Sequence, residues 1–275
     1  MTWRIALLTA VGLSTLATPV LSATMFGVQS TSVGDQLYTF DPSTGSEEYV
    51  GPIGSSFIET IAYDPISQTM FSTNTSSDQL LTIDLETGTS SVIGPIGSGF
   101  VAALAFDSVS NTLFGADSTT DELLTIDPLT GAGTVVGGLE FPLVYALAFD
   151  PNTGRLYATD FSTDQLLIVD RATGAATPVG DIGFELVSGL TFDPVSGLLY
   201  AIDVLTDQII TIDTATGAGT AVSTTAVETV VALEFVPEPS SLQSSLTAIA
   251  TIVALLWYRR SGLLVPSFAT PSREE

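Results

Sequence analysis

The chain contains no cysteine, no histidine and no lysine. Without histidine or cysteine, the serine- and cysteine-based triads lack their general base or their thiolate nucleophile. Zinc sites lose their main ligands for the same reason, leaving carboxylates alone. Without lysine there is neither a Schiff base nor a lysine clamp for phosphate. Arginine is scarce as well, and only Arg155 and Arg171 lie between Thr24 and Pro237, against 27 aspartates and glutamates. So acidic a surface repels phosphate backbones and anionic lipid heads, because binding them requires Lys or Arg to displace counterions. Nucleic acid is thereby excluded as a partner. The lack of cysteine accords with an exported protein that needs no redox control, and some 200 residues can hold a core without disulfides. Helical periodicity is missing too. No window between Thr24 and Pro237 sustains a 3.6-residue repeat of apolar positions.

What is present begins with the two ends. Residues 1–23 read as a secretory signal peptide. Arg4 supplies the positive n-region, Ile5 to Ala17 the apolar run, Thr18-Pro19 the helix break, and Val20 to Ala23 the small-residue cleavage region. Cleavage after Ala23 or after Ser22 both fit. The apolar run is short of a full membrane span. At the other end, Pro237 and Pro239 block both helix and strand pairing. Leu242 to Tyr258 is then an uncharged, mostly apolar stretch. It predicts one transmembrane helix, with Trp257-Tyr258 at the interface and Arg259-Arg260 on the cytoplasmic side. The domain before it would lie outside, as the signal peptide also requires.

The segment Val236-Pro237-Glu238-Pro239-Ser240-Ser241, the apolar helix and the Arg259-Arg260 pair together resemble the PEP-CTERM sorting signal, across residues 236–260. The resemblance implies an exosortase as processing partner, inner-membrane anchoring through 242–258, cutting near the Pro-Glu-Pro, and delivery to the cell envelope or extracellular matrix. In this chain a further tail, 261–275, follows the arginines, where the family usually stops. A plain C-terminal membrane anchor is the alternative.

The middle of the chain is a repeat. Glu59-Thr-Ile-Ala-Tyr-Asp64, Ala102-Ala-Leu-Ala-Phe-Asp107, Tyr145-Ala-Leu-Ala-Phe-Asp150, Ser188-Gly-Leu-Thr-Phe-Asp193 and Val231-Ala-Leu-Glu-Phe-Val236 recur at a spacing of 43 residues. Three further short runs recur in phase, exemplified by Leu156-Tyr-Ala-Thr-Asp160, Leu166-Leu-Ile-Val-Asp170 and Thr177-Pro-Val-Gly180. The runs are rich in β-branched and aromatic residues and bounded by Asp, Pro, Thr and Gly, as strands are. Turns such as Asp127-Pro-Leu-Thr-Gly131 place a capping Asp first and a glycine at the φ > 0 position. Four short strands every 43 residues predict a propeller blade. With the Ala-Leu-Ala-Phe strand innermost, four complete blades start near Glu59, Ala102, Tyr145 and Ser188. Three outer strands are left over at the front and one inner strand at Val231–Val236. Together they make a fifth blade that closes the ring without a free edge. The expected fold is an all-β, five-bladed β-propeller over residues 24–237, with a linear solenoid as the alternative. The stretch Ala148-Phe-Asp-Pro-x-Thr-Gly-x-Leu-Tyr-Ala-Thr-Asp160 and its copies resemble the YVTN and NHL-type propellers of bacterial surface proteins. That resemblance speaks to fold and leaves function open.

Repeated carboxylates are the remaining chemistry. Asp117, Asp160 and Asp203, with Asn74 in phase, end the second strand, and Asp78, Asp121, Asp164 and Asp207 follow four residues later. An oxygen-only Ca²⁺ site built from these aspartates is one reading. The other is that each closes its own turn on nearby backbone N–H groups, so no cofactor is expected. No pair stands out as a glycosidase acid and base. The loops from outer to next inner strand each hold a phenylalanine: Phe57, Phe100, Phe141 and Phe184. These are expected to plug the seams between blades, with an aromatic binding rim as the alternative. The functional expectation is an exported, envelope- or matrix-associated, non-enzymatic binding propeller whose partners are exopolysaccharide or other surface proteins. The alternative is a secreted Ca²⁺-dependent hydrolase or lactonase.

Overall fold

The computed structural model describes residues 23–237. The expected signal peptide apart from Ala23, the expected membrane span 242–258, the motif residues Glu238, Pro239, Ser240, Arg259 and Arg260, and the tail 261–275 lie outside the described residues. Within them every regular element is a strand, so no described helix is available to cross a membrane.

Twenty strands follow one another. The first three are β1 (Thr24–Gln29), β2 (Gln36–Phe40) and β3 (Glu47–Pro52). Four blades follow: β4 (Ile58–Asp64) to β7 (Ser90–Pro95), β8 (Val101–Asp107) to β11 (Gly133–Gly138), β12 (Val144–Asp150) to β15 (Ala176–Asp181), and β16 (Val187–Asp193) to β19 (Gly219–Thr224). The chain returns as β20 (Val230–Val236). Each blade is a four-stranded antiparallel sheet, and the fifth has the order β20-β1-β2-β3. The ring therefore closes as the phase of the repeat predicts, with Thr24 opposite Val236 and Val28 opposite Ala232. The innermost strands β4, β8, β12, β16 and β20 stand side by side around the axis. No open solenoid end remains, and each inner edge is covered by its neighbours.

The core is divided among the seams. Five apolar clusters form, each between two successive blades. One joins Phe114 and Leu123 to Leu147, Leu156 and Leu167 of the following blade. The closing seam packs Phe26 and Leu37 against Ile58, Ile61 and Met70. Both faces of every blade are thus buried, which is why the inner strands read as near-continuous apolar runs. Hydroxyls add directional links at the inner end: Thr73 donates to the Val101 carbonyl at 2.8 Å and Thr159 to that of Val187 at 2.9 Å.

The turns behave as their residues dictate. In Asp127–Gly131 the Asp127 carboxylate accepts the Leu129 N–H at 2.8 Å, and Gly131 N–H donates to the Asp127 carbonyl at 2.8 Å. At the outer rim a second set of glycines has a different task. Gly137 of β11 lies so close to the next blade that a Cβ there would stand 2.0 Å from the Thr173 carbonyl oxygen. Gly51, Gly94 and Gly180 meet the equivalent turns of their own next blades at 1.9 to 2.2 Å in the same sense. Backbone-to-backbone contact at these four outer seams leaves no room for a side chain, whereas the closing seam holds Ser223 at the same repeat position, its hydroxyl donating to the Pro42 carbonyl at 2.7 Å. We expect Gly137→Ala to destabilise the ring by about 1–3 kcal/mol through overpacking, read as a lower urea midpoint with the slope unchanged. The mutation Gly138→Ala, where nothing stands within 4 Å of the added carbon, should leave the midpoint in place.

Candidate functional site

Two faces are available for function, and the topology makes them unlike. On one face lie the turns between first and second strands and between third and fourth. Both chain ends also leave from it, since β1 begins opposite the end of β20. On the other face lie the loops that lead into each inner strand and the turns between second and third strands. The sequence-predicted carboxylates sit on this second face.

There the aspartates close loops. Asp117 accepts N–H groups from Gly99 at 2.8 Å, Phe100 at 3.3 Å and Thr119 at 2.7 Å, and the Ser98 hydroxyl. Burial acts to raise its pKa, but these hydrogen bonds win and hold the carboxyl down at about 2. Asp160 accepts the Leu143 N–H and the hydroxyls of Ser162 and Thr163, while Asp203 accepts the Leu205 N–H and the Thr206 hydroxyl. Asp121, Asp164 and Asp207 adopt positive φ values of 53° to 58°. Their backbone carbonyls accept N–H groups from Leu139, Ile182 and Thr225 at 2.7 to 3.0 Å. The Asp207 side chain also takes the Thr229 N–H at 3.1 Å. Among the described residues, no three acidic side chains converge to hold a metal ion. The nearest approach is a pair. Asp78 accepts Gly97 and Ser98 N–H groups through Oδ2, its Oδ1 is buried without a partner, and burial followed by the Asp117 charge raises its pKa.

The seam loops correct one expectation. The residue that plugs four of the seams is the aliphatic one near the loop's start: Ile53, Ile96, Leu139 and Ile182, all at most 3% exposed, with buried Thr225 as the counterpart in the last loop. Each is strapped by its own N–H to the preceding second-to-third-strand turn. The phenylalanines differ among themselves. Phe141 and Phe184 pack partly against seam clusters, Phe100 is half-buried, and Phe57 is 56% exposed at a φ of 65°. Phe57 and Phe100 occupy one repeat position, while Phe141 and Phe184 occupy another two residues earlier. The 43-residue phase exposes this difference, which composition alone conceals.

The axis carries the clearest departures from the repeat. A bulge interrupts the start of each inner strand, and bulges re-aim side chains. The equivalent residues there are Glu59, Ala102, Tyr145, Ser188 and Val231. Glu59 and Tyr145 line one axial cavity of about 10 Å³ together with Gly189 and Ala232. That is barely one water's worth of space, so the axis is tightly filled at this level. Tyr145 stacks on Phe161 at a centroid distance of 4.4 Å and 6° between planes, and Phe100 stands 6.2 Å from it. Burial, then the charge of Asp35, raises the Glu59 pKa. Deeper in the ring, Glu234 replaces the alanines of Ala62, Ala105 and Ala148. It accepts the Tyr63 N–H and the Thr191 hydroxyl, both at 3.2 Å. A little of its surface remains accessible, yet protein surrounds the carboxyl, and burial pushes its pKa up to about 8.

Both arginines of the described residues lie on the opposite face and line one open cleft of about 500 Å³ with Ser110, Phe114 and Asp170. Arg171 pairs with buried Asp107 of the preceding blade and sits 5.3 Å over the Phe149 ring. Its charge is consumed structurally. Of the residues that resemble a sorting motif, Val236 is the last residue of the closing strand and Pro237 follows it directly.

The fold and the axial arrangement define a five-bladed β-propeller with acidic, loop-built faces. The chain belongs to the repeat family of unknown function DUF6923, which matches residues 71–233. No curated protein matches it. Among solved structures, a chain of the nidogen/laminin complex superposes with a TM-score of 0.58 at 16% identity, covering 78% of this chain and 98% of that one. A protein of unknown function from Bacteroides thetaiotaomicron VPI-5482 superposes with a TM-score of 0.55, also at 16% identity, over 75% of this chain and 59% of that one. These likenesses concern the fold.

Two outcomes follow from the carboxylates. Asp117→Ala leaves the Gly99, Phe100 and Thr119 amides without their acceptor and should cost about 1–3 kcal/mol in chemical unfolding. Glu234 binds its proton more tightly folded than unfolded. Its contribution to stability is therefore full below about pH 4.5 and lost as the pH rises through about 8. The melting temperature should fall between pH 5 and 8, and Glu234→Gln should flatten that fall and raise the pH 8 value by about 2–6 °C.

Proposed function

We propose that this chain is an exported, non-enzymatic binding propeller, held at the cell envelope or matrix through a PEP-CTERM-like tail that an exosortase processes. The observation that carries the reading is the position of Pro237. It leaves the ring next to Thr24, on one face, immediately after the strand that closes the propeller. Cutting beyond Pro237 would spare the closing strand, and anchoring there would turn the opposite face outward. That outward face carries exposed Phe57, Leu143 and Leu186, with Glu140, Glu185 and Glu228 in the same loops. Apolar groups exposed beside acids suit a partner surface better than a reaction centre. The absence of histidine, cysteine and lysine from the chain supports the same view. Partners in this reading are exopolysaccharide or other surface proteins.

A Ca²⁺-dependent hydrolase is the second reading, and the unpartnered Asp78 Oδ1 beside Asp117 is the observation in its favour. Calorimetric titration of chelated protein with Ca²⁺ separates the two, since the hydrolase requires one tight stoichiometric ion. For the main reading, the native protein is expressed with and without an exosortase, then fractionated and weighed intact. A mature form that ends near Pro239 and leaves the membrane only with the exosortase supports sorting. A tail retained in both hosts reduces the tail to a plain anchor.

A further inference from the structure

The outward face has a centre that none of the preceding assignments uses. Four side chains meet around the axis. Glu59 is half-buried at the channel mouth, and no N–H or hydroxyl of the described residues donates to its carboxylate. Both described arginines lie on the other face, so no cation among the described residues offsets it. Tyr145 shares its cavity. Tyr145 in turn is stacked on Phe161 and flanked by Phe100. Glu59, Tyr145 and Phe161 break the repeat: the counterparts of Phe161 are Thr75, Ser118 and Val204, and those of Glu59 and Tyr145 include Ala102 and Ser188. A structural need common to all blades cannot explain them.

An aromatic wall beside an unpaired carboxylate is the chemistry that holds an organic cation. The ring faces attract positive charge, and the interaction strengthens as water is removed. The cavity behind Glu59 holds no more than a water, so a cation would seat over the mouth, reached only by the end of a side chain. Around it, Phe57, Leu143 and Leu186 remain 37% to 56% exposed, an apolar border that a small free cation would leave in water. Glu140, Glu185 and Glu228 in the entry loops add an acidic skirt that draws a basic partner in. We propose that the axial mouth built by Glu59, Phe100, Tyr145 and Phe161 is a docking site for a partner protein, which seats the end of an arginine or lysine side chain over it from the tip of an apolar loop. This rests on the binding-module reading above and is independent of how the tail is sorted.

The probes are two cyclic nonapeptides that present Leu-Arg-Leu or Leu-citrulline-Leu at the turn. They are titrated calorimetrically against the full-length chain in detergent at about 0.15 M salt, where surface charge is screened beyond about 8 Å. The arginine peptide should bind with one-to-one stoichiometry and at least tenfold more tightly than its citrulline isostere. Glu59→Gln and Phe161→Ala should each weaken it at least tenfold, the range of an interface anchor. Glu59→Gln removes a half-buried charge and should melt no lower than the parent, so its loss of binding cannot be ascribed to unfolding. The proposal is overturned by no binding, by equal affinity for the two peptides, or by affinity unchanged in Glu59→Gln. Unsaturable uptake that high salt abolishes would mark mere attraction to the acidic surface and overturn it as well. Tetramethylammonium competing at the peptide's own affinity would assign the mouth to a small cation and overturn the protein partner. Absence of peptide binding without Ca²⁺-dependent turnover removes this site alone, whereas turnover removes the binding-module reading itself.

Discussion

The antiparallel pairing of Val230–Val236 with Thr24–Gln29 converts a row of repeats into a ring. An open array of these blades would leave an apolar face and a strand edge bare at each end. Closure pairs the edge and supplies the fifth seam, where Phe26, Leu37, Ile58 and Met70 are buried. It also joins residues two hundred positions apart, a long loop to close before its contacts stabilise anything. The burial of both faces of every blade depends on that pairing.

From the ring follow the two faces. Because the closing strand is innermost, both chain ends emerge together on the face of the Asp-x-x-Thr-Gly turns, and the entry loops crowd the other. The outer-strand glycines bring successive blades into backbone contact, while Ile53, Ile96, Leu139 and Ile182 fill the space behind them. The seam is therefore tight at the rim and apolar within. Against so regular a frame, irregular residues become informative. Glu59, Tyr145, Phe161 and Glu234 are departures that no seam requires, and all four bear on the axis or its mouth.

Much of this was legible in the residues. The 43-residue phase located every strand to within one or two residues, and the leftover strands foretold the closing blade, because repeated blades must bury the same positions. The turn aspartates and glycines announced their conformations, since local hydrogen bonds and positive φ depend on near neighbours alone. Of the seam phenylalanines, Phe141 and Phe184 pack against their clusters as expected, and Phe57 was misjudged for the converse reason. It looks like Phe141 in composition but stands at a different repeat position, where it is 56% exposed.

The sequence by itself determined the class of fold, the number of blades and the exclusion of histidine-, cysteine- and lysine-based chemistry. These depend on composition and on a period, both of which are properties of the chain. Only the tertiary structure decided which carboxylates are engaged and which stand alone. Asp117 and Glu59 are equally acidic in sequence, yet one is enclosed by amide donors and the other faces an aromatic wall with no cation near among the described residues. That distinction comes from ring closure, which brings side chains from different blades to one axis and so sets the environment that each charge experiences.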